Sequence, residues 1–270
     1  MTQVPGHGVQ APGHAEILRI VAPNPGPMTG EGTNTYLYGA DPCVVIDPGP
    51  DAADHLEAVR AAAEERGGIG LVLLTHSHGD HADGAARLAA MLAEGGRAAA
   101  TAGSAQAASV GAPPVVRPAD GEEHGGLRAV ATPGHAADHV CLLTADDVCF
   151  SGDLVLGEGS TFVPPDGGSL AAYMDSLRRM QAEEIDLICP GHGPWIDDPA
   201  AKLAEYVEHR EMRERRLLAA LERGERSREA LLAEAWDDVP AEMRPVAALV
   251  MEAHLQKLDG EGHLPADLRS

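Results

Sequence analysis

Thr75-His76-Ser77-His78-Gly79-Asp80-His81 places four nitrogen and oxygen donors within six residues, directly after the apolar run Leu71-Val72-Leu73-Leu74. In an extended segment the side chains of i and i+2 point the same way, so His76 and His78 can grip one ion together. Asp80 and His81 follow across a glycine kink, where they can face a second ion. Four polar ligands behind a buried strand would be costly to desolvate without a cation to hold. Three more donors sit just past strand-like runs: His135 in Thr132-Pro133-Gly134-His135, Asp153 in Ser151-Gly152-Asp153, and His192 in Pro190-Gly191-His192-Gly193. Seven such residues at strand ends predict one convergent pocket.

The elements that must position these residues read from short apolar runs and helical periodicity. Strands are predicted near 16–21, 35–38, 43–47, 70–75, 98–101, 127–132, 139–144, 147–151 and 186–189, with a hairpin turn at Ala145-Asp146-Asp147. Helices are predicted over 51–66, 83–94 (ended by Gly95-Gly96), 168–182 and 199–221. Strands with helices interspersed make a layered α/β domain. After Gly224 the pattern becomes helical, with segments at 227–235 and 240–258 and a break at Asp259-Gly260-Glu261-Gly262.

At 270 residues the chain can bury a sizeable core, and with aromatics at only 3% that core must rest on Ala, Val, Leu and Ile. The net charge of −22 repels polyanions and argues against bulk nucleic-acid binding. Arginines nonetheless gather late: residues 201–270 hold 11 basic and 15 acidic side chains, against 9 and 27 before them. Arg210, Arg213, Arg215, Arg216, Arg223, Arg226 and Arg228 alternate with glutamates, a spacing that predicts i to i+4 pairs on a solvated face rather than a phosphate-binding patch. Cys43, Cys141, Cys149 and Cys189 form no C-x-x-C pair and read as reduced core cysteines, which fits a cytoplasmic protein. No secretory signal and no apolar stretch of about 20 residues is visible. Residues 1–15, with His7 and His14, read as a flexible arm.

The order Asp47-Pro48-Gly49, His76-x-His78-x-Asp80-His81, His135, Asp153 and His192 resembles the five-motif signature of the metallo-β-lactamase superfamily. Pro25 to Thr29, Gly32 to Tyr36, Thr132 to His139 and Ser151 to Gly159 resemble its lactamase-β-like subgroup. That subgroup includes a mitochondrial endoribonuclease, bacterial hydrolases and fungal polyketide thioesterases, and carries a C-terminal winged-helix domain. The resemblance implies an αββα sandwich over residues 16–198 and a long helix with a small winged-helix-like cap over 199–270. It also implies two zinc ions per chain, with iron or manganese as alternatives. His76, His78 and His135 would hold the first, Asp80, His81 and His192 the second, and Asp153 would bridge them. A bridging hydroxide would then attack the substrate, Asp80 serving in catalysis, without a serine or cysteine nucleophile.

By the same resemblance Asp47 braces the ligand loops, and Thr75 joins it there or simply ends a strand. Thr33, Asn34 and the Gly157–Thr161 loop could line the cleft, and His139 either packs in the core or reaches the substrate. His55, His124, His209, His254 and His263 have no ligand neighbours at informative spacing, although His254 on the last helix could face the pocket. The favoured substrate is a small ester or thioester. The alternatives are single-stranded RNA, which the charge disfavours, and persulfide oxidation at one iron. A monomer or homodimer with neither DNA nor membrane as partner is expected, because the segment 240–258 offers only Arg244 and Lys257 as cations. Its predicted place is over the mouth of the active site.

Overall fold

A computed structural model describes residues 8–94 and 113–269. Two sheets lie face to face. The first has six strands in the order β1 (Val9–Ala11), β2 (His14–Val21), β3 (Asn34–Tyr38), β4 (Cys43–Ile46), β5 (Ile69–Leu73) and β6 (Val115–Val116). The second has five, in the order β11 (Leu187–Pro190), β10 (Val148–Gly152), β9 (Val140–Leu143), β8 (Leu127–Ala131) and β7 (Glu123–His124). Residues 8–15, expected within a loose arm, instead supply β1 and the start of β2, so His14 belongs to a strand. His7 and the strand expected near 98–101 lie outside the described residues.

Strand alternation builds the layers. Along β4, Val44 and Ile46 point between the sheets, where they meet Tyr36, Leu142 and Phe150. Cys43 and Val45 point the other way, onto α1 (Ala53–Glu64) and α3 (Gly84–Glu94) through Leu56, Val59 and Leu88. On the outer face of the second sheet, Cys141, Cys149 and Ile188 pack under α4 (Leu170–Gln181) and α5 (Pro199–Glu222) through Tyr173, Leu177, Leu203 and Tyr206. The result is the expected αββα sandwich, and strands covered on both faces explain their continuous apolar runs.

Helix ends follow local chemistry. Ser169 caps α4 by accepting from Ala172 N at 3.3 Å, and Asp198 caps α5 by accepting from Ala201 N at 3.0 Å, with Pro199 at the first helical position.

The last quarter of the chain is helical: α6 (Arg228–Ala235) and α7 (Arg244–Gly260) close around Leu217, Leu221, Trp236, Met251 and Leu258. Among the described residues no strand follows β11, so the expected wing is not part of this unit. Its arginines pair mainly between elements rather than along one helix. Arg213, buried, donates to Asp238 at 2.6 and 2.9 Å and to Ala235 O at 2.6 Å. Arg216 pairs with Asp237, Arg223 with Glu234 and Arg228 with Glu252. No helix among the described residues is long and apolar enough to cross a membrane.

Candidate metal centre

One edge of the sandwich gathers the strand ends. Two backbone hydrogen bonds stitch the sheets together there: Val140 N donates to Thr75 O at 2.8 Å, and Asn34 N donates to Gly191 O at 2.8 Å. His76 and His78 follow β5, and His78 has the extended backbone expected of it. Asp80 and His81 sit on a single helical turn, α2 (Gly79–Ala82), rather than beyond a simple kink. The turn brings both of them to His192.

The side chains meet in two groups. His76 Nε2 lies 3.1 Å from His78 Nδ1, and His135 Nε2 lies 2.8 Å from the same atom. Opposite them, His81 Nε2 is 3.3 Å from His192 Nε2 and 3.6 Å from Asp80 Oδ2, while His192 Nε2 is 3.3 Å from that oxygen. Asp153 stands between the groups. Its Oδ1 is 3.3 Å from His81 and 3.4 Å from His192, and its Oδ2 is 3.4 Å from His135. Both triads have the spacing of a set that could hold a metal ion.

The remote ring nitrogens settle which atoms face inward. His81 Nδ1 must donate to Asp47 Oδ2 at 2.9 Å, because a carboxylate only accepts. His135 Nδ1 donates to Phe162 O at 2.6 Å and His192 Nδ1 to Gly32 O at 3.3 Å. His76 Nδ1 lies 3.0 Å from Thr75 Oγ1, whose own proton goes to Asp47 Oδ2 at 2.7 Å, so the imidazole is the donor there. In a neutral ring one nitrogen then keeps a lone pair, and each of these lone pairs points into the cluster. Converging lone pairs repel unless a cation lies among them, and buried Asp153 Oδ1 has no hydrogen-bond donor. The donor set, imidazoles with two carboxylates, therefore fits a pair of borderline divalent cations.

Protons compete for the same places. Burial lowers the His192 pKa, but the neighbouring carboxylates of Asp153 and Asp80 outweigh it and raise it to about 9. For His81 burial again opposes the charge, yet Asp153 and Asp47 hold its pKa well above the ordinary value.

Of the three expected substrate-facing residues, Thr33 and His139 have other places. Thr33, fully buried, does not line the cleft; its hydroxyl donates to Asp80 Oδ2 at 3.4 Å and accepts from Asn24 Nδ2 at 2.9 Å. His139 is buried behind the cluster and does not reach the cleft. Its Nε2 accepts from Asp153 N at 3.0 Å while Nδ1 donates to Thr132 Oγ1 at 2.8 Å, so it orients the carboxylate's backbone. Burial, then neighbouring His135, lowers its pKa to about 3 and keeps the ring neutral for that acceptor role. Asn34 does line the cleft, but its amide is spent on Pro190 O at 2.8 Å and Gly193 O at 2.9 Å. Asp47 and Thr75 stand where bracing residues should: Asp47 Oδ1 accepts from Thr75 N at 2.8 Å.

The cleft above the cluster encloses about 460 Å³. Met28, Leu156 and Phe162 give it apolar walls, the 156–162 loop forms one side, and Glu31 and Glu158 flank it. Arg19, which the sequence pattern did not single out, is the one Arg or Lys in its wall among the described residues; it is stacked 4.6 Å over Trp195 and donates to Gly193 O at 2.9 Å. An arginine inside a strand carries no local signal of such a role. No described residue after Pro194 lines the cleft, so the C-terminal helices do not cap its mouth. They support it from behind: Tyr206 Oη accepts from Leu156 N at 3.0 Å and donates to Gly159 O at 3.1 Å. His254 does not reach the cleft either.

Comparison with known proteins agrees with this geometry. Residues 28–192 match the family model described as the metallo-beta-lactamase superfamily. The chain is 40% identical over 216 residues to the lactamase-like protein adaB of Aspergillus niger, covering 77% of this chain and 64% of that protein's length. It is 33% identical over 271 residues to the beta-lactamase-like protein 2 homolog of Drosophila melanogaster, covering 93% of this chain and 90% of the relative. Among solved structures, a metallo-beta-lactamase family protein from Thermus thermophilus superposes with a TM-score of 0.65 at 22% identity, covering 92% of this chain and 94% of its own. A beta-lactamase domain protein from Burkholderia ambifaria superposes at 0.68 with 19% identity, covering 97% and 90%. At those identities the two structures bear on the fold alone.

Proposed function

This chain belongs to the metallo-beta-lactamase superfamily, and from that premise we propose that it is a metal-dependent hydrolase that binds two zinc ions and cleaves small esters or thioesters. The observation that carries the binuclear reading is Asp153, which turns one carboxylate oxygen toward each triad. His76, His78 and His135 would hold one ion, and Asp80, His81 and His192 the other. When bound, such ions supply a water acidic enough to attack near neutral pH and electrophilic pull on the acyl oxygen.

The chain's own residues do the positioning. Asp47 and Thr75 hold His81 and His76 in the tautomer that presents Nε2, Thr33 orients Asp80, and His139 fixes the backbone of Asp153. The four described cysteines are buried and unpaired, which supports both a reducing cytoplasm and the absence of a thiol nucleophile.

Substrate class is inferred from the walls. Among the described residues, Glu31 and Glu158 stand around the cluster against one Arg or Lys, Arg19, and Phe162 is the one Phe, Tyr or Trp in the wall. Such a lining suits an uncharged acyl group better than a polyanion whose bases need stacking platforms. Arg213, Arg216 and Arg223, which could have steered RNA, pair instead with Asp238, Asp237 and Glu234 of the C-terminal unit. A second triad beside the first weighs against a mononuclear iron site. Residues 16–198 are read as the catalytic unit and 199–270 as a helical support; a winged-helix ancestry for the latter rests on its three helices alone. Turnover of short acyl-thioesters by zinc-loaded protein, lost in Asp80→Ala, is expected. Equal rates in both proteins, or none in either while a labelled oligoribonucleotide is cut, would overturn the ester reading.

A further inference from the structure

Behind the 156–162 loop, on the far side from the cleft, a second cavity of about 230 Å³ lies between α4, α5 and α7. Arg210 and His254 form its polar floor. Arg210 is 3% exposed and His254 fully buried, so neither relies on bulk solvent. Arg210 donates through Nη2 to Ser160 Oγ at 3.0 Å and to Thr161 O, but its buried Nε has no acceptor and no carboxylate stands within salt-bridge reach among the described residues. Neither ring nitrogen of His254 has a hydrogen-bond partner; Glu214 comes only within 4.0 Å of Nδ1. A buried guanidinium without a counter-ion beside an imidazole with two idle nitrogens is a costly arrangement unless an anion completes it.

The surroundings narrow that anion. The cavity's other cations are already matched: Lys257 lies 2.8 Å from both Glu214 and Glu261, Arg178 lies 3.4 Å from Glu211, and Arg215 lies 3.8 Å from Glu211. One positive charge, on Arg210, is therefore left over, which calls for a monoanion rather than a dianionic phosphate. Leu170, Met174 and Leu218 complete the wall and would take an aliphatic body. The planar guanidinium suits a carboxylate, and a ring nitrogen bearing a proton can donate to its second oxygen. We propose that this cavity is a binding site for a small aliphatic monocarboxylate, its head held by Arg210 and His254 and its chain by Leu170, Met174 and Leu218. The site is separate from the metal centre, and its occupant would bear on the residue that also holds Ser160 and Thr161, both of which line the cleft.

Calorimetric titration of the zinc-loaded full chain with sodium butyrate, at ionic strength held with sodium chloride, tests this. Saturable 1:1 binding is expected, weakened at least ten-fold in His254→Phe, which keeps the ring's bulk, and in Leu218→Trp, which fills the cavity. Circular dichroism checks that each variant is folded, and either one alone suffices. Binding that persists in a folded variant belongs to the metal centre and overturns the proposal. So does the absence of saturable binding, which would mean a cavity filled by water alone. Inorganic phosphate that binds more tightly than butyrate, and is lost in the same variants, would overturn the monocarboxylate assignment.

Discussion

Replacing Asp47 by Asn removes a charge and one acceptor while keeping the side chain's shape. Asp47 is 2% exposed and takes three hydrogen bonds, from Thr75 N at 2.8 Å, Thr75 Oγ1 at 2.7 Å and His81 Nδ1 at 2.9 Å. An amide oxygen can satisfy the backbone N–H, but the NH₂ group then faces Thr75 Oγ1 and the His81 N–H. Thr75 can rotate its proton away, whereas His81 cannot keep a proton on Nδ1 opposite a donor. The ring's cheapest escape is the other tautomer, with the proton on Nε2, the atom that faces His192 and Asp153. Losing a hydrogen bond to a charged acceptor costs about 1.5–3 kcal/mol. Loss of such an outer partner typically weakens metal binding by about 10–100-fold. The effect should fall on the triad of Asp80, His81 and His192, because His76 retains Thr75 as an acceptor. Zinc competition against a chromophoric chelator should resolve two equivalents in both proteins, with only one of them weakened by about 10–100-fold in Asp47→Asn and turnover reduced in parallel. Wild-type affinity at both equivalents would refute the tautomer argument. An equal loss at both would show that Asp47 acts on the cluster as a whole.

The remaining predictions concern protons and space. Because Asp153 and Asp80 raise the His192 pKa to about 9 against burial, the ring carries a proton at pH 7 that a cation must displace. Zinc uptake should release protons, seen as a calorimetric enthalpy that varies with buffer ionisation, and apparent affinity should climb from pH 6 to 9; a buffer-independent enthalpy would contradict it. A Cβ at Gly191 would sit 2.5 Å from Asp153 Oδ1 and 2.7 Å from His81 Cε1. Gly191→Ala should therefore lower turnover at least about ten-fold, about 1.4 kcal/mol, at near-normal stability; normal kinetics would show that the cluster yields. Burial lowers the His55 pKa to about 4, so the unfolded chain binds the extra proton between that value and about 6.5. Stability should then fall as pH drops through this window, by about 2–3 kcal/mol from this one group. Urea unfolding at pH 7 and pH 5 should give a steeper loss in the wild type than in His55→Gln; equal losses would reject that assignment.

The cluster was legible because chemistry and local geometry coincide in Thr75 to His81: four donors in six residues make little sense without a cation, and just past one buried strand His76 and His78 come within 3.1 Å of each other. Long apolar runs such as β4 and β5 were equally plain, since burial on both faces removes any polar alternation. β1, β6 and β7 are two or three residues long, too short to show a period, and exist because a neighbouring strand offers an edge. The bracing contacts were hidden for a different reason. Thr33 meets Asp80 from 47 positions away and His139 meets the backbone of Asp153 across 14, and nothing in either local sequence announces the partner. The arginines of α5 misled in the same way: their spacing suits pairing along the helix, but Arg213, Arg216 and Arg223 find carboxylates on the following elements instead. Helices in the C-terminal unit follow from periodicity, whereas their docking behind the cleft depends on Tyr206 and Arg210 reaching the 156–162 loop.

Anomalous X-ray scattering at the zinc edge from crystals of the zinc-loaded chain addresses the metal centre without intermediaries. Two peaks should appear about 3.5–4 Å apart, one within bonding distance of His76, His78 and His135, the other of Asp80, His81 and His192, with Asp153 touching both. A single peak at saturating zinc, or two peaks with Asp153 bound to neither, would contradict a binuclear hydrolase.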